Sequence, residues 1–355
     1  MTKITTFNFS IDTPNSEERI LNNKEFVVWG EKNQYPEFLY ELYKKSAEHQ
    51  SIVDGLVQYT LGNGIKSSNP NVQLKFDKIN KDEETINDIA SKLLLDYYIF
   101  GGFSSQIIPA RDKSLAEIYW TDFMNCRINE DEDKVFYSKN WTKYRPDVKV
   151  YDEFNVEEKQ TASSIYYFKG LKTRGFYPVP LYNAAITAIQ TSVEIDNFHL
   201  NNVSNGFQAS TIINFNNGEP DEDTKKEIEK ALDEKFNGTS GKKFMIIYNE
   251  SKDTAITIEK LDADNFDEQF DTLQKSVQNR IFVAHKVTSP ALFGIKMENT
   301  GFSKTEYEES FDIFNNTIIK SYQKILITEL EKMLKPFYGK DLGIFIEPYK
   351  LQDDV

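Results

Sequence analysis

The stretch "RIFVAHKVTSPALFGIKMENTGFSKTEYEES", residues 280–310, decides how the second half of the chain is organised. It begins as an amphipathic helix that runs into Ser289-Pro290, continues through apolar residues and glycines, and restarts as a helix at a capping box, residues 303–306. A loop with so many apolar side chains needs a surface that covers them, because apolar area is unfavourable in water. The stretch therefore predicts two helices joined by a loop that packs against something.

Long helices are predicted on both sides of this loop. Residues 263–288 carry apolar side chains at spacings of three and four, with acidic residues at the start and His285 and Lys286 at the end, as the helix dipole favours. After the loop, one apolar stripe extends from the capping box as far as Pro336. An earlier helix, residues 181–205, has apolar residues on two flanks. Such a helix is expected to have a neighbour on each side.

The remaining segments predict a mixture of helices and sheet. An irregular arm, residues 1–35, precedes one helix that ends at Gly62 and Gly64, and a second helix ends at Gly101-Gly102. From 103 to 170, short β-branched and aromatic segments are separated by charged or Asn-rich turns, which predicts a meandering sheet. Residues 207–262 predict a compact βαββ segment between two long helices. The predicted fold class is therefore α+β.

Composition limits the classes of function. The 355 residues include 42 Lys+Arg and 56 Asp+Glu, and the net charge of -14 argues against a protein that wraps nucleic acid through phosphate contacts. Cys126 is the only cysteine, which excludes an intrachain disulfide and a zinc ribbon. A mean hydropathy of -0.55 and the lack of a long apolar run predict no membrane-spanning helix, and the N-terminus has no signal-peptide pattern. We expect synthesis in the cytosol.

The order of these elements resembles that of tailed-bacteriophage portal proteins. The segment "WGEKNQYPEFLYELYKKSAEHQSIVDGLVQYTLGNGI" is similar to a portal opening in which an Asn-x-x-Pro turn precedes a helix and a Gly-x-Gly stop. The segment "DEQFDTLQKSVQNRIFVAHKVTSPALFG" resembles a second stem helix with its Val-x-x-Pro-x-x-x-Gly exit. The resemblance covers residues 29–338 and depends on the joint order of the segments more than on any one motif.

The resemblance implies a portal fold with an α/β wing, a two-helix stem, a βαββ clip and a long C-terminal wing helix. The corresponding residues are 1–180 for the N-terminal part of the wing, 181–206 for the first stem helix, 207–262 for the clip, 263–288 for the second stem helix, 289–302 for a tunnel loop, and 303–355 for the wing helix and a C-terminal strand. It further implies a homo-oligomeric ring of about twelve subunits, closed by one repeated interface.

The function implied by the resemblance is that of a ring at one capsid vertex of a virion, made in the host bacterial cytoplasm. Double-stranded DNA would pass through its bore during packaging and ejection. The implied partners are the terminase large subunit, the major capsid and scaffold proteins, and a head-completion or neck adaptor. The residues expected to face DNA in the tunnel loop are Phe293, Lys296, Met297 and Asn299, and those expected to dock the motor or adaptor in the clip are Lys225, Lys226, Lys242 and Lys243.

Catalytic motifs are weak throughout the sequence, so we expect no catalytic residues, no metal site and no cofactor. The segment "NGTSGKK", residues 237–243, lacks the spacing of a phosphate-binding loop, because two residues separate its glycines where four are needed. The three histidines, His49, His199 and His285, follow no metal-binding spacing and are interpreted as structural.

Alternatives remain open at this stage. One is a metal-dependent enzyme acting on nucleotides or phosphoesters, with a metal held by the acidic surface. Another is a ring adaptor of a contractile injection system. Without the resemblance, the Pro-Ala-Leu-Phe-Gly loop is typical of a buried connection in a helical domain, Lys296 is typical of a solvated surface lysine, and the two long helices are typical of an antiparallel hairpin.

Overall fold

A computed structural model describes residues 14, 16–21, 24–110, 116–143, 145–157, 161–170, 174–204, 211–215, 220–221, 224–228, 244–248, 266–295 and 304–349. The chain divides into two compact units, the first formed by Met1–Ile186 with Arg280–Val355 and the second by Thr187–Asn279. The finer division into wing, stem, clip and tunnel loop stays a prediction.

The helices have the following bounds: α1 Tyr35–Lys45, α2 Ala47–Leu61, α3 Pro70–Phe76, α4 Ile86–Phe100, α5 Ile186–Ser204, α6 Phe266–Ala284, α7 Lys304–Phe314 and α8 Lys320–Tyr338. The strands are β1 Glu18–Arg19, β2 Val28–Trp29, β3 Ile65–Ser67, β4 Phe103–Pro109, β5 Ala116–Thr121, β6 Cys126–Ile128, β7 Lys134–Tyr137, β8 Lys149–Glu153, β9 Ser164–Phe168, β10 Thr211–Phe215, β11 Phe244–Tyr248 and β12 Ile344–Ile346. Within the described ranges, none of the helices is both long and apolar enough to cross a membrane.

The first predicted helix is divided in two at Ser46. This residue is extended, with φ -94° and ψ 114°, and its side chain accepts a hydrogen bond from the His49 backbone N–H at the start of α2. Gly62 ends α2 and Gly101 ends α4, both with positive φ, as the sequence predicts. Gly101 is required for a further reason, because a Cβ there would lie 2.5 Å from the Val179 carbonyl oxygen.

A six-stranded sheet forms over the region predicted to be a meander, in the order β5-β4-β9-β8-β7-β6. All neighbouring strands are antiparallel except β8 and β9, which are parallel. Helix α4 packs against β4 and β5 and also against α2, and its Ile86, Ile89 and Leu93 are fully buried. The core of the first unit therefore lies around α4.

The C-terminal helical region differs from the single helix that the sequence predicts. A π-helical turn, Asn315–Ile319, separates α7 from α8, with Phe314 and Ile319 buried at its two ends. Helix α8 also continues beyond Pro336 to Tyr338, whose hydroxyl donates a hydrogen bond to the Ala116 carbonyl. Tertiary contacts of the last turn thus offset the helix-breaking tendency of proline.

In the second unit, β10 and β11 are paired in parallel, and residues 224–228 between them are helical. These are the first three elements of the predicted βαββ segment, and the predicted fourth element, in residues 251–262, lies outside the described residues. Helix α5 begins after a 3-10 turn at Asn183–Ala185, later than the predicted start at residue 181.

Candidate functional site

The candidate site is the segment through which the chain returns to the first unit, residues 280–295, together with the face of α2 that holds it. We call residues 280–295 the return segment. It contains the last turn of α6, a short turn and a 3-10 helix, Pro290–Phe293. This is where the sequence predicts the exit of the second stem helix into a tunnel loop.

Helix α6 ends in a Schellman motif that has lysine where glycine is usual. Lys286 has φ 57°, its N–H donates to the Val283 carbonyl, and the Val287 N–H donates to the Phe282 carbonyl. A left-handed conformation costs a non-glycine residue about 1 kcal/mol or more. The reversal of the chain after α6 is therefore fixed at an energetic cost, and the surrounding contacts must offset it.

A pair of buried histidines holds the end of α6 on α2. The His49 Nδ1 atom lies 2.9 Å from the His285 Nε2 atom, and both side chains are buried. The Tyr182 ring packs on both, with centroid distances of 4.3 Å to His49 and 5.3 Å to His285. Burial lowers the pKa of His285 to about 4, and burial together with the His285 charge lowers the pKa of His49 well below 6.5. Both rings are neutral at pH 7, and in their hydrogen bond the N–H of one ring donates to the unprotonated nitrogen of the other.

The 3-10 helix is seated on a strip of α2 formed by Ser51, Gly55 and Tyr59, which share one helix face at spacings of four. The Ser51 hydroxyl donates to the Phe293 carbonyl at 3.1 Å, and the Tyr59 hydroxyl donates to the Leu292 carbonyl at 2.6 Å. Between them, the Phe293 ring lies directly on Gly55, where a Cβ would be 2.6 Å from the Phe293 Cδ1 atom. We call these three residues the α2 seat.

Aromatic side chains close the other side of the Phe293 ring. Tyr59 and Phe314 meet it edge-on, at centroid distances of 5.9 and 5.7 Å, and Phe311 lies 5.9 Å from Tyr59. Burial raises the pKa of Tyr59 above its usual range, so its hydroxyl stays a donor to Leu292. The return segment is therefore held by hydrogen bonds on its backbone and by ring packing on its side chain.

This arrangement corrects the expectation for Phe293. Its side chain is only 8% exposed and is covered by the same subunit, so in this conformation it cannot contact DNA. Leu292 is buried as well, which means that neighbouring copies are not needed to cover the beginning of the apolar loop. The buried connection that the sequence left open is what the structure has over residues 290–293. Lys296, Met297 and Asn299 lie outside the described residues.

The predicted docking lysines of the clip are described only in part. Lys225 and Lys226 lie in the helical residues 224–228, whose start is capped by Asp221 through the Thr224 N–H at 2.9 Å. Lys226 is exposed and Lys225 is half-buried. Lys242 and Lys243 lie outside the described residues. Their role in docking stays a prediction.

Sequence reasoning missed the α2 seat, although a signal was present. Ser51, Gly55 and Tyr59 recur at every fourth position of α2 and so share one helix face, and a glycine in the middle of such a face is typical of close backbone approach. The histidine pair had no such signal, because its members are 236 positions apart. Across the described part of the chain, no group of three or more His, Cys, Asp or Glu side chains is placed to hold a metal ion.

No protein-family model and no curated protein sequence matches the chain. Solved structures do share its fold. A chain from the neck of an empty gene transfer agent particle, computed with C6 symmetry, aligns with a TM-score of 0.57 and 11% identity over 87% of this chain and 83% of the other. A chain from the virion of the native particle gives 0.57 and 12% over 87% and 82%, and one from the native neck computed with C12 symmetry gives 0.54 and 12% over 87% and 83%.

Proposed function

We propose that this chain is a portal protein, the subunit of a ring at one vertex of a phage-like particle. The ring would admit double-stranded DNA during packaging and release it during ejection. Its partners would be the terminase large subunit, the capsid and scaffold proteins, and a neck adaptor. In this proposal the protein is structural and has no catalytic role, and the chemistry of ATP belongs to the motor that docks on it.

The observation that carries the proposal is the extent of the fold likeness. The alignments cover 87% of this chain and more than four fifths of chains taken from neck and virion structures, so the likeness is not limited to one common motif. At 11–12% identity this likeness establishes the fold alone. The order of sequence segments from the Asn-x-x-Pro turn to the stem exit supports the same assignment independently.

The return segment supports the proposed ring because it holds the start of the tunnel loop against α2. Gly294, with φ 72° and open space around its Cα, turns the chain after Phe293 has been buried. In our proposal the part of the tunnel loop, residues 289–302, that faces DNA begins after Gly294 and includes Lys296, Met297 and Asn299, with Phe293 as their anchor. Because every subunit carries a net charge of -14, the ring would repel phosphates and let DNA slide.

Negative-stain electron microscopy of the purified protein, with its mass measured by light scattering, tests the proposal. We expect closed rings whose mass is a multiple of 41.2 kDa, stable over a range of salt concentrations. Compact monomers at every concentration and salt would contradict it. Rings that assemble only on a tube would favour the injection-system adaptor, and metal-dependent turnover of phosphoesters by a monomer would favour the enzyme.

A lysine substitution tests the DNA-facing role separately from assembly. We expect Lys296→Ala to leave rings intact while lowering the yield of filled heads or the retention of DNA, because one lysine per subunit would contact phosphates as DNA passes. Lys324→Ala, at an exposed position on α8, is the matched control. Unchanged yields with Lys296→Ala would remove this residue from the mechanism and leave the ring proposal standing.

A further inference from the structure

A groove of about 610 Å³ lies in the first unit between α3, the loop that follows it, and the base of the β4–β5 hairpin. This volume falls in the range of ligand-binding clefts. Part of its lining is apolar, formed by residues such as Ile79, Ile108 and Pro109, and we call this part the floor. Leu74 also lines the groove, and its side chain is 69% exposed, so it is accessible to a ligand. None of these residues belongs to the return segment or to the α2 seat.

The groove is basic within an acidic chain. Among the described residues, its lining includes three lysines, Lys75, Lys78 and Lys81, and one carboxylate, Glu117. Lys81 lies 3.3 Å from Glu117, and Lys78 lies 2.7 Å from Glu83, in pairs whose lysines are largely exposed. Exposed pairs of this kind contribute little to stability, so both lysines can exchange these partners for the carboxylates of a ligand. Within the described ranges, Lys75 has no carboxylate at ion-pair distance.

Strand addition is not the mode of recognition that this groove favours. Strand β5 is at the edge of the sheet and contributes Ala116 to the groove, so its outward carbonyls are the groups that an added strand would use. The Tyr338 hydroxyl donates to the Ala116 carbonyl at 3.1 Å, and the Asn80 Nδ2 donates to the Ile118 carbonyl at 3.0 Å. Because side chains already cap this edge, a ligand would be recognised through its own side chains.

We infer that this groove binds an acidic peptide segment of a partner protein, one that carries a leucine- or phenylalanine-sized side chain. The carboxylates would pair with Lys75 and Lys78, and the apolar side chain would lie against Leu74 and the groove floor. The area is smaller than that of a standard protein interface, so we expect weak, micromolar binding that falls as salt screens the charges. The inference does not depend on the proposed ring.

Charge and shape favour a peptide over nucleic acid. A duplex needs a long row of cations that follows its phosphates, whereas the described lysines of the groove all lie within residues 75–81. A phosphodiester backbone also has no apolar side chain that could pack against the exposed Leu74 or the apolar floor. An acidic peptide with an apolar side chain satisfies both features of the groove.

Fluorescence anisotropy with short labelled probes tests the inference on the full chain. The probes are a peptide in which Asp and Glu alternate with Leu and Phe, the same peptide with Gly and Ser in place of Leu and Phe, and a short DNA duplex. We expect saturable binding of the first peptide only. Lys75→Glu with Lys78→Glu should weaken it about tenfold or more, and Leu74→Ser should weaken it measurably.

Matched controls come from exposed residues outside the groove. Lys44→Glu with Lys45→Glu removes two exposed lysines of α1, and Ile313→Ser removes an apolar side chain that is 56% exposed on α7. Both should retain wild-type affinity. The inference is overturned if the first peptide shows no saturable binding, if the controls weaken it as much as the groove variants do, or if the Gly/Ser peptide or the duplex binds equally well.

Discussion

Two clusters in the first unit bury ionisable side chains, one around a charged arginine and the other around two neutral histidines. Arg127 is completely buried and keeps its charge, since its guanidinium donates to Asn33 Oδ1 and to the carbonyls of Asn33, Met124 and Cys126 at 2.6–2.8 Å. The histidine pair, by contrast, has one mutual hydrogen bond, and the buried His49 Nε2 has no partner in the described structure.

The difference shows which buried groups can remain charged. Around Arg127, the rings of Trp29 and Trp141 lie 5.7 and 5.0 Å from the guanidinium carbon, and Glu37 lies 3.8 Å away, so the charge is compensated on all sides. Around His49 and His285 there are tyrosine rings and apolar side chains, and burial keeps both histidines neutral. A proton added to the second cluster would lack such compensation, so the stability of that cluster depends on pH.

The largest effect is expected from removing the compensated charge. Arg127→Met should lower the free energy of unfolding by about 3–5 kcal/mol, because it leaves several buried acceptors without donors and Glu37 without its counter-charge. Urea unfolding followed by tryptophan fluorescence measures this directly, since all three tryptophans, Trp29, Trp120 and Trp141, are in the first unit. A loss below about 1 kcal/mol would contradict the stabilising role of the buried Arg127 hydrogen bonds.

The Arg127 cluster also shows what the sequence could predict. The Asn-x-x-Pro turn was predicted at the opening of the chain, and Asn33 does adopt φ 60° there, just before α1. The glycine stops and the strand segments between residues 103 and 170 were predicted as well. In each case the signal is local, because a turn or a strand needs particular residues within a few positions.

The contacts between distant segments cannot be predicted from the sequence pattern. A stripe of apolar residues indicates which face of a helix is buried but not which surface covers it. For this reason Phe293 was assigned to a bore and not to Gly55, and the 2.9 Å contact of His49 with His285 was not foreseen. The π-helical turn at Asn315–Ile319 is not predicted either, because such a turn has no periodic pattern of apolar residues of its own.

The next largest change in the free energy of unfolding should come from lowering the pH. Between pH 6.5 and about 4 the unfolded chain binds a proton at His285 that the folded chain does not, so stability must fall as pH falls through this window. The expected slope is about 1.4 kcal/mol per pH unit for each histidine that stays neutral. His285→Gln should reduce the slope by one such contribution, since a Gln amide can still donate to His49 but does not titrate.

Urea titrations between pH 5 and 6.5 on the two proteins give the comparison, and carboxylates that titrate elsewhere cancel in the difference. Identical slopes for wild type and His285→Gln would contradict the neutral pair.

A smaller loss of stability is expected from a substitution in the α2 seat, where the Phe293 ring leaves no room for a side chain on Gly55. Gly55→Ala should cost about 1–3 kcal/mol, because its Cβ would overlap the Phe293 ring and the backbone of α2 cannot yield easily. Phe293→Leu in the same chain should restore part of this loss by shortening the opposing side chain. If Gly55→Ala is neutral when measured by urea unfolding, the return segment is not held closely against α2.

The smallest effect concerns the turn that brings His285 to His49. Lys286→Gly should raise the free energy of unfolding by up to about 1 kcal/mol, because glycine adopts the left-handed conformation without the steric cost that lysine bears. The gain is limited, since glycine is also more flexible in the unfolded chain. Lys286→Val, which combines a β-branched side chain with φ 57°, should lose stability instead. If both variants were equally stable, the backbone at this position would carry no strain, and the histidine pair would form without any energetic cost in the turn.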